Sequence, residues 1–487
     1  MRDRRFYLVL VSLILTTLAC STIARSLGPE RASPTSPPIP ASRTPRPSPA
    51  PTLTPVPSQP EILIEGVRAC GYVPGVSTVA QMPSPLFITP TPYPTPTPPA
   101  SVKVEAEVTR QQQTLFEQLW ETVNRTYIYE DFNGHDWEAI GERYRQLIES
   151  GLTDEAFYQA MDHMIAELGD EHSFFENPDE ARETNAQFEG TFEYVGVGLL
   201  VAPVPEADAG VIVFAFPDSP ALAAGLRPHD SILAVDGYPM LEADGSLTTR
   251  IRGPENTPIT LTLRHPGGEP FDLTLTRRRI SGATLIDDCA IAGTRIAYVF
   301  LPNLEDETIP DQMRAALDTL TASGPLDGLI LDNRQNHGGQ LPVLEDVLGF
   351  FTEGLVGHFV NRRETHPLEI KPEDVNGSQA VPLVVLVDVN TFSFGEVLSG
   401  VLKNQGRASV VGQTTTGNVE TLWSSNFDDG SRAWIASETF QPLNQPNGIW
   451  EQTGIEPDVS VPTRWDLFTE ATDPALAVAV ELLTTDN

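Results

Sequence analysis

Val387-Asp388-Val389-Asn390-Thr391-Phe392-Ser393-Phe394-Gly395-Glu396 joins two apolar runs of different period. Leu383 to Val387 is continuously apolar and short, the pattern of a strand buried on both faces, whereas Phe394 to Lys403 carries helical spacing. Ser393 therefore falls at a strand-to-helix junction. Outward from it the same alternation repeats, with strands at Ala297 to Leu301, Gly328 to Leu331 and Ser409 to Val411, and helices at Ile309 to Thr321 and about Pro342 to Phe351. Buried strands alternating with helices predict an α/β fold over residues 290–487.

The preceding residues read differently. Residues 106–180 read as a helical cap, with helical periodicity from 110 to 172 in three runs, through Leu115, Leu119 and Val123, then Trp137, Ile140, Tyr144 and Leu147, then Phe157, Met161, Met164 and Leu168. Thr153 or Asp154 is the expected N-cap of the third. After Phe175 the pattern turns to short strands, and residues 188–280 form a small β-rich module. Its landmarks are Gly196-Val197-Gly198-Leu199, then Ser219-Pro220-Ala221-Leu222-Ala223-Ala224-Gly225-Leu226, then Asp230 to Gly237. In this order they resemble the PDZ domain of bacterial proteases. That resemblance assigns Gly196, Val197, Gly198 and Leu199 to a loop whose backbone N–H groups receive a peptide carboxylate, beside a strand that accepts the peptide by β-augmentation.

Composition sets the first hundred residues apart. The chain has 487 residues and 44 prolines, and roughly half of the prolines precede residue 100, a bias foreign to a packed core. Arg2, Arg4 and Arg5 before the apolar run Phe6 to Ala19 read as an export signal, the run being shorter than the roughly 20 residues a spanning helix needs. Thr17-Leu18-Ala19-Cys20 resembles a bacterial lipobox, which implies acylation of Cys20 and a lipid anchor at the membrane after removal of residues 1–20; Thr17 departs from the usual Leu. Residues 21–105 form a Pro/Thr-rich extended linker, interrupted by an apolar island from Glu61 to Val79 that holds Cys70. Once Cys20 is set aside, Cys70 and Cys289 are left either to pair in an oxidising compartment or to remain free thiols. A formal charge of −35 argues against a nucleic-acid partner. Neither a metal-ligand spacing nor a glycine-rich phosphate loop is visible, and no cofactor is expected.

Chemistry is left to the loops of the α/β region. A Ser at a helix N-terminus is ordinarily an N-cap, but the free N–H groups there also suit an oxyanion. Asp332-Asn333-Arg334-Gln335-Asn336-His337-Gly338-Gly339 ends another buried strand with two glycines whose backbone can approach a ligand closely. Together with Val410-Val411-Gly412-Gln413-Thr414-Thr415-Thr416-Gly417 and Gly454-Ile455-Glu456-Pro457-Asp458, these segments resemble the S41 serine peptidases, the C-terminal processing and tricorn-like enzymes. The resemblance covers nearly everything after residue 110. It implies a ClpP/crotonase-like core with an inserted PDZ module and an N-terminal helical cap, and a protein or peptide substrate. It makes Ser393 the nucleophile and the N–H groups of Gly338, Gly339 and Phe394 the oxyanion donors.

One departure bears on mechanism. The processing peptidases place a general-base Lys where this chain reads Gly417-Asn418-Val419, and the whole chain has only Lys103, Lys371 and Lys403. Lys403 is ten residues along its helix from Ser393, about 15 Å of rise. The tricorn-like branch uses a His from the end of the helical region and a Glu near the C-terminus. Leu168-Gly169-Asp170-Glu171-His172-Ser173 and Trp450-Glu451-Gln452-Thr453-Gly454-Ile455 resemble those two signatures, making His172 the base and Glu451 its orienting carboxylate. His337 is the rival base, and Glu171 a candidate relay. A catalytically silent peptide-binding protein of the cell envelope is the alternative that the missing Lys leaves open.

Overall fold

The computed structural model describes residues 62–72, 104–170, 172–243, 245–443, 445, 450–462 and 464–485. Cys20 and the export segment, Lys103 and Glu171 lie outside the described residues.

The cap is built from α1 (Ala106–Thr126), α2 (Trp137–Glu149) and α3 (Asp154–Ala166). Helical spacing brings Phe116, Leu119, Val123, Trp137, Ile140, Met161 and Met164 into one buried cluster. Thr153 is the N-cap of α3, its Oγ1 accepting from Ala156 N at 3.3 Å. Strand β1 (Phe174–Glu176) follows, and then α4 (Pro178–Phe188), a helix where only strands were expected. Its start is written in the sequence: Asn177 Oδ1 accepts from Glu180 N, Glu180 Oε2 accepts from Asn177 N, and Pro178 fills the first turn. With Ala181 its only buried residue, α4 has no apolar stripe for a periodicity reading to find.

The β-rich module contains β2 (Glu193–Gly196), β3 (Leu199–Val204), β4 (Ala209–Ala215), α5 (Pro220–Ala223), β5 (Ser231–Val235), β6 (Tyr238–Pro239), β7 (Pro258–Arg264), β8 (Phe271–Thr276) and β9 (Arg278–Ser281). The stretch from Tyr194 to Leu200 is divided between two strands, β2 and β3. Gly198 at φ +83° turns the chain so that β2 pairs with β9 while β3 heads the sheet β3-β4-β5-β7-β8. A Cβ on Gly198 would lie 2.2 Å from Ser219 Cβ, so the turn requires Gly for room as well as for φ.

The α/β core has the order β10 (Asp287–Ala290), β11 (Ile296–Phe300), α6 (Ile309–Thr321), β12 (Gly328–Asp332), α7 (Leu341–Gly349), β13 (Gly354–Val360), β14 (Thr365–Ile370), β15 (Leu383–Val387), α8 (Phe394–Asn404), β16 (Ala408–Gly412), β17 (Glu420–Asn426), β18 (Arg432–Pro442), β19 (Val459–Ser460) and α9 (Pro474–Thr485). Its main sheet runs β10-β11-β12-β15-β16-β19, parallel from β11 onward. Both faces are covered, which is why β12 and β15 are apolar throughout. Leu329, Leu331 and Val385 pack with α6, α7 and α8, whereas Ile330, Val384 and Leu386 pack under α9. A second, antiparallel sheet, β1-β18-β13-β14 with β17 on β18, ties the cap to the core, since Ala433, Ile435 and Ala436 join the cap cluster.

The apolar island also packs on the core. Ile64 is fully buried, Cys70 N donates to the Ala290 carbonyl at 2.9 Å, and Cys70 and Cys289 are joined as a disulfide. Among the described residues, no helix is long and apolar enough to cross a membrane.

Candidate active site

The loop after β12 is clamped by its own side chains. Asp332 accepts from Arg334 Nε at 2.9 Å and from the Tyr298 hydroxyl at 2.7 Å, and Arg334 also reaches Asp473 at 2.7 Å. Asn333 Nδ2 donates to the Gly395 carbonyl and to Ser399 Oγ, both at 2.7 Å, which fastens the loop to α8. Asn336 Nδ2 donates to Asn333 Oδ1 at 2.7 Å, and the Asn336 carbonyl accepts from Phe392 N at 3.1 Å. The polar residues of this segment are buried, and nearly all of their polar atoms are paired, Arg334 Nη1 being the exception among the described residues.

Ser393 occupies the N-cap position of α8 without capping it. Its backbone is at φ +55°, ψ −132°, and its side chain makes no cap hydrogen bond. A non-glycine residue there is strained. The strain is held in place by Ser393 N donating to the Asn418 carbonyl at 2.7 Å. Glu396, one turn along α8 and fully buried, accepts from Gly417 N and Asn418 N at 2.7 Å each.

Gly338, at φ +83°, lies directly over this serine. A Cβ built on it would stand 2.7 Å from Phe394 N and 2.9 Å from Ser393 Oγ. Gly339 is pressed as closely on Leu304, whose N–H donates to the Gly338 carbonyl at 2.7 Å. Of the three N–H groups expected to face an oxyanion, that of Gly338 is committed elsewhere, donating to Asn336 Oδ1 at 2.9 Å. Among the described residues, the N–H groups of Gly339 and Phe394 have no hydrogen-bond partner.

His172 sits in an Asx turn closed by Asp170, whose Oδ1 accepts from His172 N at 3.1 Å and from Ser173 N at 2.6 Å. Ser173 Oγ donates to Asp170 Oδ2 and accepts from Ala436 N, which docks the turn on β18. The His172 imidazole is buried, with Nε2 3.8 Å from Glu451 Oε1, and Glu451 Oε2 accepts from Val419 N at 2.8 Å. Burial disfavours the imidazolium, but the carboxylates of Glu451, Glu420 and Asp170 outweigh it and raise the His172 pKa above its ordinary value. These groups line a cavity of about 280 Å³ with Tyr129, Asn133, Gly417 and Asn418. Ser393 N and Glu451 Oε2 are bonded to the adjacent residues Asn418 and Val419, and His172 stands beside Glu451, while no hydrogen bond joins His172 to Ser393.

The remaining basic groups are placed apart. Lys403 pairs with Asp458 at 3.0 Å at the far end of α8, Lys371 is exposed after β14, and His337 lies exposed and stacked on Phe392 at 4.9 Å. In the module, Val197 is buried, and its carbonyl accepts from Ala221 N. Leu199 opens β3 along a cavity of about 330 Å³ walled by Val201, Phe214 and Ile251 and floored by Pro302, Asn303 and Glu305 of the core. Sequence reasoning missed Glu420 and Tyr129, because neither belongs to a motif and the antiparallel sheet that brings them in was not foreseen.

A parallel sheet covered on both faces, with a strained serine at the junction of its β15 strand and α8 helix, defines an α/β protein with a candidate nucleophile at the end of a buried strand. Residues 295–461 match the model of peptidase family S41, and residues 109–166 match the tricorn protease C1 domain. A carboxyl-terminal-processing protease of Synechocystis is 34% identical over 387 residues, covering 77% of this chain and 87% of that one. Another, from Picosynechococcus, is 29% identical over 389 residues, covering 77% and 90%. Among solved structures, a photosystem II D1 C-terminal processing protease superposes with a TM-score of 0.54 at 24% identity, covering 77% of this chain and 98% of that one. This chain belongs to peptidase family S41, among the carboxyl-terminal-processing serine proteases.

Proposed function

We propose that the protein is an exported, lipid-anchored serine peptidase that cleaves by Ser-His-Glu acyl transfer and selects substrates by their C-termini. The observation that carries this reading is Ser393, held at φ +55° with a side chain that does not cap its helix. In the mechanism, Ser393 Oγ attacks the scissile carbonyl and His172 takes its proton. Glu451 orients the imidazole, and the N–H groups of Gly339 and Phe394 receive the oxyanion. His172 replaces the Lys of the processing enzymes, because Asn418 holds that position and Lys403 is engaged with Asp458. Residues 196–199 and β3 receive an apolar C-terminal peptide, with amidation of its carboxylate weakening binding. Cys20 carries the lipid.

Fluorophosphonate labelling tests the chemistry. Labelling of the wild-type enzyme, lost in Ser393→Ala and in His172→Ala with both variants folded, is the expected result. The absence of a His172 to Ser393 hydrogen bond favours a second reading, a silent peptide-binding protein; unlabelled wild-type protein that still binds C-terminal peptides would establish it.

A further inference from the structure

Glu420 has no part in the triad proposed above, yet it lines the cavity that holds His172. It opens β17 and is only 3% exposed. A carboxylate so buried is costly unless it is hydrogen-bonded or paired. Its side-chain hydrogen bond comes from the Tyr129 hydroxyl, which donates to Oε1. The titratable groups facing it are Tyr127 and Tyr129 from the chain after α1, Asp170 and His172 from the turn after α3, and Glu451 from the segment before β19. His172 is the member of this set able to carry positive charge. Asp170 and Glu451 are each tied down by backbone N–H groups, whereas Glu420 is held by the Tyr129 hydroxyl.

We propose that Glu420, oriented by Tyr129, is a second carboxylate partner of His172, a positioning residue that stabilises the imidazolium formed when Ser393 gives up its proton. The inference rests on His172 being the general base. Burial, offset in part by the Tyr129 hydroxyl and by His172, pushes Glu420 up to about 7. Each charge favours the other: the imidazolium offsets part of the burial cost of the carboxylate, and the carboxylate raises the imidazole pKa. Removing the negative charge lowers the imidazole pKa and also withdraws support from the imidazolium in the transition state.

The test is the pH dependence of the second-order rate of fluorophosphonate labelling of Ser393, measured on the full chain for wild type, Glu420→Gln and Tyr129→Phe. Glu420→Gln is expected to move the acidic limb down by roughly one pH unit, equivalent to a tenfold change in the neutral imidazole fraction on the limb. Its plateau should fall by about the same factor. Tyr129→Phe, which withdraws the hydroxyl that favours ionised Glu420, is expected to shift the limb in the same direction by a smaller amount. A merely structural glutamate would lower the plateau and leave the limb in place. A Glu420→Gln limb superimposable on that of wild type, with His172→Ala inactive, overturns this proposal alone. If Glu420→Gln does not fold, an unmoved limb in Tyr129→Phe overturns it instead. An active His172→Ala enzyme removes the base assignment on which it stands.

Discussion

Gly338→Ala would put a methyl group into the space between the nucleophile and a proposed oxyanion donor. The added Cβ would lie 2.7 Å from Phe394 N, 2.8 Å from Ser393 Cβ and 2.9 Å from Ser393 Oγ, all closer than a Cβ tolerates. Two of these atoms, Phe394 N and Ser393 Cβ, are fixed to the backbone and cannot swing aside. Ser393 N is tied to the Asn418 carbonyl, and the Gly338 carbonyl and N–H are tied to Leu304 and Asn336. The backbone at φ +83° adds about 1–2 kcal/mol for a residue with a Cβ. In a chain of this size that cost lowers the melting temperature by only a few degrees. The cost to catalysis is of another order. With the methyl group over Phe394 N, the oxyanion loses a donor, worth roughly a hundredfold to a thousandfold in rate. The assay is fluorophosphonate labelling of Ser393 alongside thermal unfolding. A Gly338→Ala enzyme labelled within threefold of the wild-type rate would refute the placement of the oxyanion at this point.

Because the His172 pKa is raised above 6.5, and the base works in its neutral form, the rate should fall as pH drops through that raised value; a labelling profile flat from pH 8 to pH 5 would contradict it. Lys403→Ala should leave labelling unchanged and cost at most about 1 kcal/mol, since its partly exposed pair with Asp458 is worth little; urea denaturation measures the difference. Cys70→Ser should destabilise by about 2–4 kcal/mol, because the disulfide to Cys289 closes a loop of 219 residues; a melting temperature equal to that of wild type without reductant would show that the bridge contributes nothing. Peptides ending in an apolar residue with a free carboxylate should bind more tightly than their amides, which fluorescence anisotropy resolves.

The elements legible in the sequence were those whose signal is local. Leu383–Val387 and Ile309–Thr321 appear at the expected residues because a strand buried on both faces is apolar throughout and an amphipathic helix repeats every three to four residues. The segment Asp332 to Gly339 could likewise be singled out from its residues, and its polar positions have a visible reason in the clamps made by Asp332, Asn333, Arg334 and Asn336. The structure alone showed what depends on contacts distant in the chain. Helix α4 carries its cap but no apolar stripe. The antiparallel sheet β1-β18-β13-β14 joins strands that lie up to 268 residues apart in sequence, from Phe174 to Pro442. The commitment of the Gly338 N–H to Asn336 depends on a loop folding back on itself, and the meeting of Glu420, Tyr129 and His172 depends on three segments packing together. Periodicity records which face of an element is buried, but not which distant element buries it, and the electrostatics around His172 follow from the second.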